Sequence, residues 1–75
     1  MLKGIEIDPR VCGGKPVIAG TRIPVTVLLD QLADDRSWDA ILKSYPELSR
    51  DDLRAALQFA RQTIEHTELD PALVP

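Results

Sequence analysis

All four glycines and three of the six prolines of this 75-residue chain lie within its first 24 residues. Gly4, Pro9, Gly13, Gly14, Pro16, Gly20 and Pro24 are too closely spaced for a helix, because each proline removes a backbone donor and each glycine raises the entropy lost on ordering. From Val25 to Tyr45, and again from Glu47 to Asp70, neither residue type occurs. The front of the chain must therefore be extended and turn-rich, and helix is confined to the residues beyond Pro24. Ile5 and Ile7 alternate around Glu6, and Val17-Ile18 is a second β-branched pair, which predicts short strands over 4–7 and 16–19. The adjacent Gly13 and Gly14 permit the reversal between them. A two-stranded ribbon is marginal in water, so it must lie on the helices or pair with another chain.

Behind Pro24 the period changes to that of a helix. Val25, Leu28, Leu29 and Leu32 share one face, and Asp34-Asp35 marks the end. Ser37 is an N-cap for a second helix of about two turns, with Trp38, Ile41, Leu42 and Tyr45 on its apolar face and Pro46 as its stop. Ser49 with Asp52 three residues later forms a near capping box for a third helix running to about Thr67. Its core stripe is expected at Leu53, Ala56, Leu57, Ala60 and Ile64, which leaves Ala55 and Phe59 as a second small apolar face for another chain. The fold expected is mostly α: an N-terminal β-ribbon arm over 1–24, a helix-turn-helix core of three helices of rising length over 25–67, and a flexible tail over 68–75. Together they make one domain.

The strongly apolar set is ten Leu, six Ile, five Val and one Phe, enough for a core but a thin one at this length. A staple or a partner is therefore expected. Cys12 is the only cysteine, so no internal disulfide supplies it, and a cytoplasmic setting fits. No apolar run approaches the roughly 20 residues needed to cross a bilayer, and no basic-then-apolar leader opens the chain, so neither membrane insertion nor secretion is expected. The net charge of −3 is uneven. Residues 1–25 hold four basic and two acidic groups, whereas residues 26–75 hold five basic and ten acidic. The front suits local phosphate contact and the remainder a basic protein partner.

Catalysis finds little material. His66 is the only histidine, and it and Cys12 lack a third group to orient a thiol–imidazole pair. One Cys and one His cannot complete a structural zinc site, and the neighbouring acids Asp34/Asp35 and Asp51/Asp52 diverge by about 100° on a helix. Gly13-Gly14-Lys15 resembles part of a phosphate loop, but Pro16 follows the lysine and Pro9 replaces the upstream glycine. No catalytic residue, metal or cofactor is expected, and the chain reads as a non-enzyme.

Nucleic-acid binding has two candidate surfaces. The link from Tyr45 to Ser49 suits a helix-turn-helix, which would put the start of the third helix, with Arg50, Asp51, Arg54, Gln58 and Arg61, into the major groove. Asp51 and Asp52 would repel phosphate there. The second surface is the ribbon and its exit, with Arg10, Lys15, Thr21 and Arg22. Two ribbons paired in a homodimer would double the charge and satisfy open edges. A plain three-helix core with solvated charges, or a dimerisation ribbon that binds no DNA, remains open on the same pattern.

Asp8-Pro9, Cys12-Gly13-Gly14-Lys15-Pro16-Val17-Ile18 and Gly20-Thr21-Arg22-Ile23-Pro24-Val25 closely resemble the hallmark of domain-of-unknown-function family 433, and Tyr45-Pro46-Glu47-Leu48-Ser49 resembles its second half. The similarity runs from about Ile5 to Ile64. It implies a small prokaryotic protein with a homeodomain-like three-helix fold, and for many members a VapB-like antitoxin paired with a PIN-like ribonuclease toxin. Such an antitoxin blocks the toxin and represses its own operon. Lys15, Thr21 and Arg22 are the motif positions that would contact nucleic acid or a partner. On that reading Phe59, Leu69, Leu73 and Val74 become partner-binding residues, and Glu65, Glu68 and Asp70 could approach a basic nuclease cleft. The other readings are a stand-alone DNA-binding regulator and a dimerisation module without DNA.

Overall fold

A computed structural model describes residues 4–66, which form a short antiparallel ribbon followed by three helices. The expected Leu69, Leu73 and Val74 contacts, the remainder of the tail and Thr67 lie outside the described residues.

The ribbon consists of β1 (Ile5–Glu6) and β2 (Val17–Ile18), with Ile5 opposite Ile18 and Glu6 opposite Val17. Each strand is two residues long because prolines and glycines bound it, as their missing donors and loose backbones require. Ile7, expected on the strand, lies beyond it and is 60% exposed. β2 is flanked on both sides. Ala19 N–H donates to Gly4 O at 2.9 Å, and on the far side Ile18 N–H donates to Ile23 O at 3.0 Å and Val25 N–H to Pro16 O at 2.9 Å. The last bond also satisfies a donor at the start of the first helix, where no side chain caps. Between the strands, Cys12, Gly13 and Gly14 are consecutive left-handed residues, with φ of 51°, 66° and 87°. Only glycine adopts such angles freely, and the glycine pair is what lets the chain turn here.

α1 (Val25–Ala33) ends where Asp35 takes a left-handed φ of 62°. Asp35 N–H then donates to Leu32 O and Arg36 N–H to Gln31 O, both at 3.1 Å, which satisfies the last carbonyls of the helix. Arg36 continues across the corner. Its guanidinium donates to Gln31 Oε1, to Ala40 O at 3.1 Å and to Ser44 Oγ at 2.8 Å. α2 (Trp38–Ser44) starts at Ser37, whose hydroxyl accepts from Ala40 N–H at 3.1 Å. A turn closed by Leu48 N–H to Tyr45 O at 3.0 Å carries Leu48 into the core. α3 (Arg50–Glu65) opens with a complete capping box: Asp52 N–H donates to Ser49 Oγ and Ser49 N–H to Asp52 Oδ2. The helices have 9, 7 and 16 residues, so their lengths do not rise in order. Pro46 cuts the middle one short.

Ile5, Val17, Ile18, Val25, Leu28, Ile41, Leu48, Leu53 and Ala56 are the buried apolar residues, drawn from every element and the α2–α3 turn. The face that α3 buries differs from the expected stripe. Leu53 and Ala56 are fully buried, but Leu57 is 38% and Ile64 is 64% exposed, whereas Ala55 and Phe59 pack against the core. The ribbon takes the Ala55 side, where Gly4 approaches so closely that a Cβ would lie 3.0 Å from the Ala55 Cβ. α1 starts at Val25, so the last turn of α3 has little neighbouring chain to cover Ile64.

Candidate functional site

The predicted ribbon residues fall on two loops held together by local bonds. Thr21 Oγ1 donates to Ile18 O at 2.7 Å and accepts from Ile23 N–H at 3.0 Å. Its hydroxyl is thus committed to shaping the 18–23 turn, a positioning role toward Arg22 beside it. Cys12 Sγ donates to Arg22 O at 3.3 Å and ties the glycine turn to that second loop. Lys15 and Arg22 are exposed on the tied loops, and neither pairs with an acid among the described residues. Arg10 is also exposed but forked onto Asp8, with Nε donating to Oδ1 at 3.1 Å and a terminal nitrogen to Oδ2 at 3.0 Å. The Asp8 carboxyl is held below its ordinary value of 3.8, first by the Arg10 side chain and then by the Arg10 N–H. The Arg10 guanidinium is raised in return.

The start of α3 is arranged differently. Arg50 meets Asp39 of α2 at 3.4 Å, and Arg54 meets Asp51 one turn earlier at 2.7 Å. Both guanidinium groups also lie over the Trp38 ring, 5.5 and 5.9 Å from its centroid. These exposed pairs are individually weak, but a guanidinium that already has a carboxylate and an aromatic face must leave them to meet phosphate. Arg61, farther along, pairs with Glu65 at 2.9 Å. The i, i+4 placement of Arg50 and Arg54 on one face was readable in the sequence. Their partners Trp38 and Asp39 come from another helix and were not.

A third feature had no sequence signal. An open groove of about 410 Å³ runs between α1 and the C-terminal half of α3, with Val25, Thr26 and Leu29 on one wall and Phe59, Ala60 and Ile64 on the other. Lys15 and Pro16 also line it. Phe59, predicted to bind a partner, therefore does two things: it packs on the core and lines this groove. The groove arises because a two-residue strand and a nine-residue helix leave a sixteen-residue helix incompletely covered.

His66 caps the end of α3, its N–H bonded to Gln62 O at 3.2 Å. Among the described residues no three His, Cys, Asp or Glu side chains gather as a metal site would require, and no helix is long and apolar enough to cross a membrane.

Comparison with known proteins places this arrangement. A chain from Anabaena variabilis ATCC 29413, solved as a DUF433 member, is 39% identical and superposes with a TM-score of 0.78 over 83% of this chain and 61% of its own. The uncharacterised protein y4eO of Sinorhizobium fredii (strain NBRC 101917 / NGR234) is 35% identical over 56 residues, 75% of this chain. The present chain spans only a quarter of that relative's length. The model of the family described as protein of unknown function (DUF433) matches residues 5–60, from β1 through the glycine turn and into α3, and the chain is a member of that family.

Proposed function

We propose that this chain is a non-catalytic antitoxin of the prokaryotic cytoplasm: a homodimer that binds operator DNA as an autorepressor and blocks a PIN-like ribonuclease toxin. The observation that carries the DNA half is the division among its cations. Arg10, Arg50, Arg54 and Arg61 each hold a carboxylate and Arg36 is bonded across the α1–α2 corner, whereas Lys15, Arg22 and Lys43 have no acid partner among the described residues, and of these three only Lys15 and Arg22 stand together, on tied loops. A cation without a partner meets phosphate at no cost in broken pairs, so the two loops take the backbone contacts ahead of the start of α3. A dimer brings two such loop pairs to one duplex. β1, bonded only to β2 among the described residues, offers the edge along which two ribbons can join. The toxin half is supported by the apolar groove beside Lys15, whose volume suits a few buried side chains of another protein.

The test is a salt titration of binding to the DNA upstream of the chain's own gene. The Lys15→Ala/Arg22→Ala variant is expected to reduce the salt slope by about two per protomer. Arg50→Ala/Arg54→Ala should reduce it by less. An unchanged slope in the first variant, or no binding by the parent chain, removes the DNA half. Co-expression with the product of the adjacent gene, followed by affinity capture and a ribonuclease assay, tests the toxin half. DNA binding without capture of a nuclease would leave the stand-alone regulator as the correct reading.

A further inference from the structure

We infer that the groove between α1 and α3 is a binding site for a small amphiphilic carboxylate, an aliphatic chain ending in one carboxyl group. Val25 and Leu29 on one wall and Phe59, Ala60 and Ile64 on the other make its interior apolar. Its volume of about 410 Å³ lies within the range of roughly 300–1,000 Å³ typical of small-molecule sites. Its α3 wall, from Phe59 to Ile64, runs for about 8 Å along the helix axis. A standard protein interface buries about 800 Å² on each partner, so a protein seated here must spread well beyond the groove, whereas an alkyl chain of similar length fills it. Charge then selects the head group. Lys15 is the only ionisable side chain lining the groove, it is exposed, and it has no acid partner among the described residues. A lysine beside apolar surface lays its methylene stem on that surface and keeps its ammonium in water, which sets one positive charge at the mouth. Among the described residues no carboxylate lines the groove, and Glu65, next along α3 from Ile64, is held by Arg61 at 2.9 Å. The lining therefore carries a net positive charge, which disfavours a cationic ligand and favours an anionic one. One ammonium matches one carboxylate, and a head group held at the mouth puts no charge into the apolar interior.

The site does not rest on the antitoxin reading, and its test uses neither DNA nor toxin. The full chain is titrated with hexanoate, octanoate and decanoate below their micellar concentrations, with calorimetry for affinity and methyl NMR for position. Binding is expected to saturate, to shift the methyls of Val25, Leu29 and Ile64, and to tighten about fourfold for each added methylene, the worth of burying one such group. Lys15→Ala should weaken octanoate about two- to fivefold, as loss of an exposed ion pair does, and leave octanol unchanged. Lys15→Arg should keep the octanoate affinity. Circular dichroism checks that both variants retain their helix content. Absence of saturable binding, or shifts confined to other residues, would overturn the inference. An equal effect of Lys15→Ala on octanoate and octanol would remove the carboxylate from it. Shifts of the same methyls on raising the protein concentration alone would assign the groove to a second copy instead.

Discussion

Single residues in this small protein matter most where backbone angle and space are both constrained. Gly4 has a φ of +84°, and a Cβ there would sit 3.0 Å from the Ala55 Cβ. Gly4→Ala is expected to lower stability by about 2 kcal/mol in denaturant unfolding, part from the left-handed backbone and part from the contact with α3. Adding Ala55→Gly should relieve only the contact, leaving about 1 kcal/mol for the angle itself. The Asp8–Arg10 fork gives a pH signature. The Asp8 carboxyl is lowered in the fold, so its contribution is complete above the ordinary carboxylate value of 3.8 and is lost as the pH falls through the lowered one. Followed by NMR, the Asp8 carboxyl should titrate below the ordinary carboxylate range, and the Arg10 amide should lose protection in the same acid range. Arg10→Ala should return Asp8 to the ordinary range.

At the level of elements, the caps were legible and the faces only partly so. Ser37, and Ser49 with Asp52, act within four residues of sequence, and the structure makes their bonds as the pattern predicts. For α3, helical spacing defined a stripe through Leu53, Ala56, Leu57, Ala60 and Ile64 but could not say how the neighbours would be distributed around it. The ribbon on the Ala55 side and α1 beside Phe59 move the buried sector away from Leu57. Leu53→Ala is accordingly expected to cost 2–5 kcal/mol and Leu57→Ala under about 1 kcal/mol in the same unfolding assay. Equal costs would restore the simple stripe. Arg36 is the other feature that spacing concealed. A residue in a linker bonds to both flanking helices, and this fixes the corner between α1 and α2.

For the molecule as a whole, the first and last elements share one core. Ile5 on β1 is buried in the same cluster as Leu53 and Ala56 of α3, so the ribbon is part of the folded unit and not an appended arm. Ile5→Ala is expected to cost 2–5 kcal/mol, and Trp38 fluorescence and far-ultraviolet circular dichroism should still report one coincident transition. Separate transitions would mean that the ribbon folds independently of the helices. The same packing sets the pattern of charge. Among the described residues the basic front of the sequence divides into Arg10, forked by its neighbour Asp8, and Lys15 and Arg22, which stand on loops joined by the Cys12 thiol.

The sequence by itself determined where helix could and could not form, where each helix starts and stops, and which motif carries the family membership. All of these are local: glycine and proline geometry, caps, and a period of 3.6 act over a few residues. Tertiary structure decided which side of α3 is buried, which cations are paired, and that a groove opens beside Lys15. These depend on residues far apart in the chain, Gly4 against Ala55, Asp39 against Arg50, and Val25 near Phe59. No period along one segment contains the length of the segment packed against it, and that length is what leaves the end of α3 uncovered.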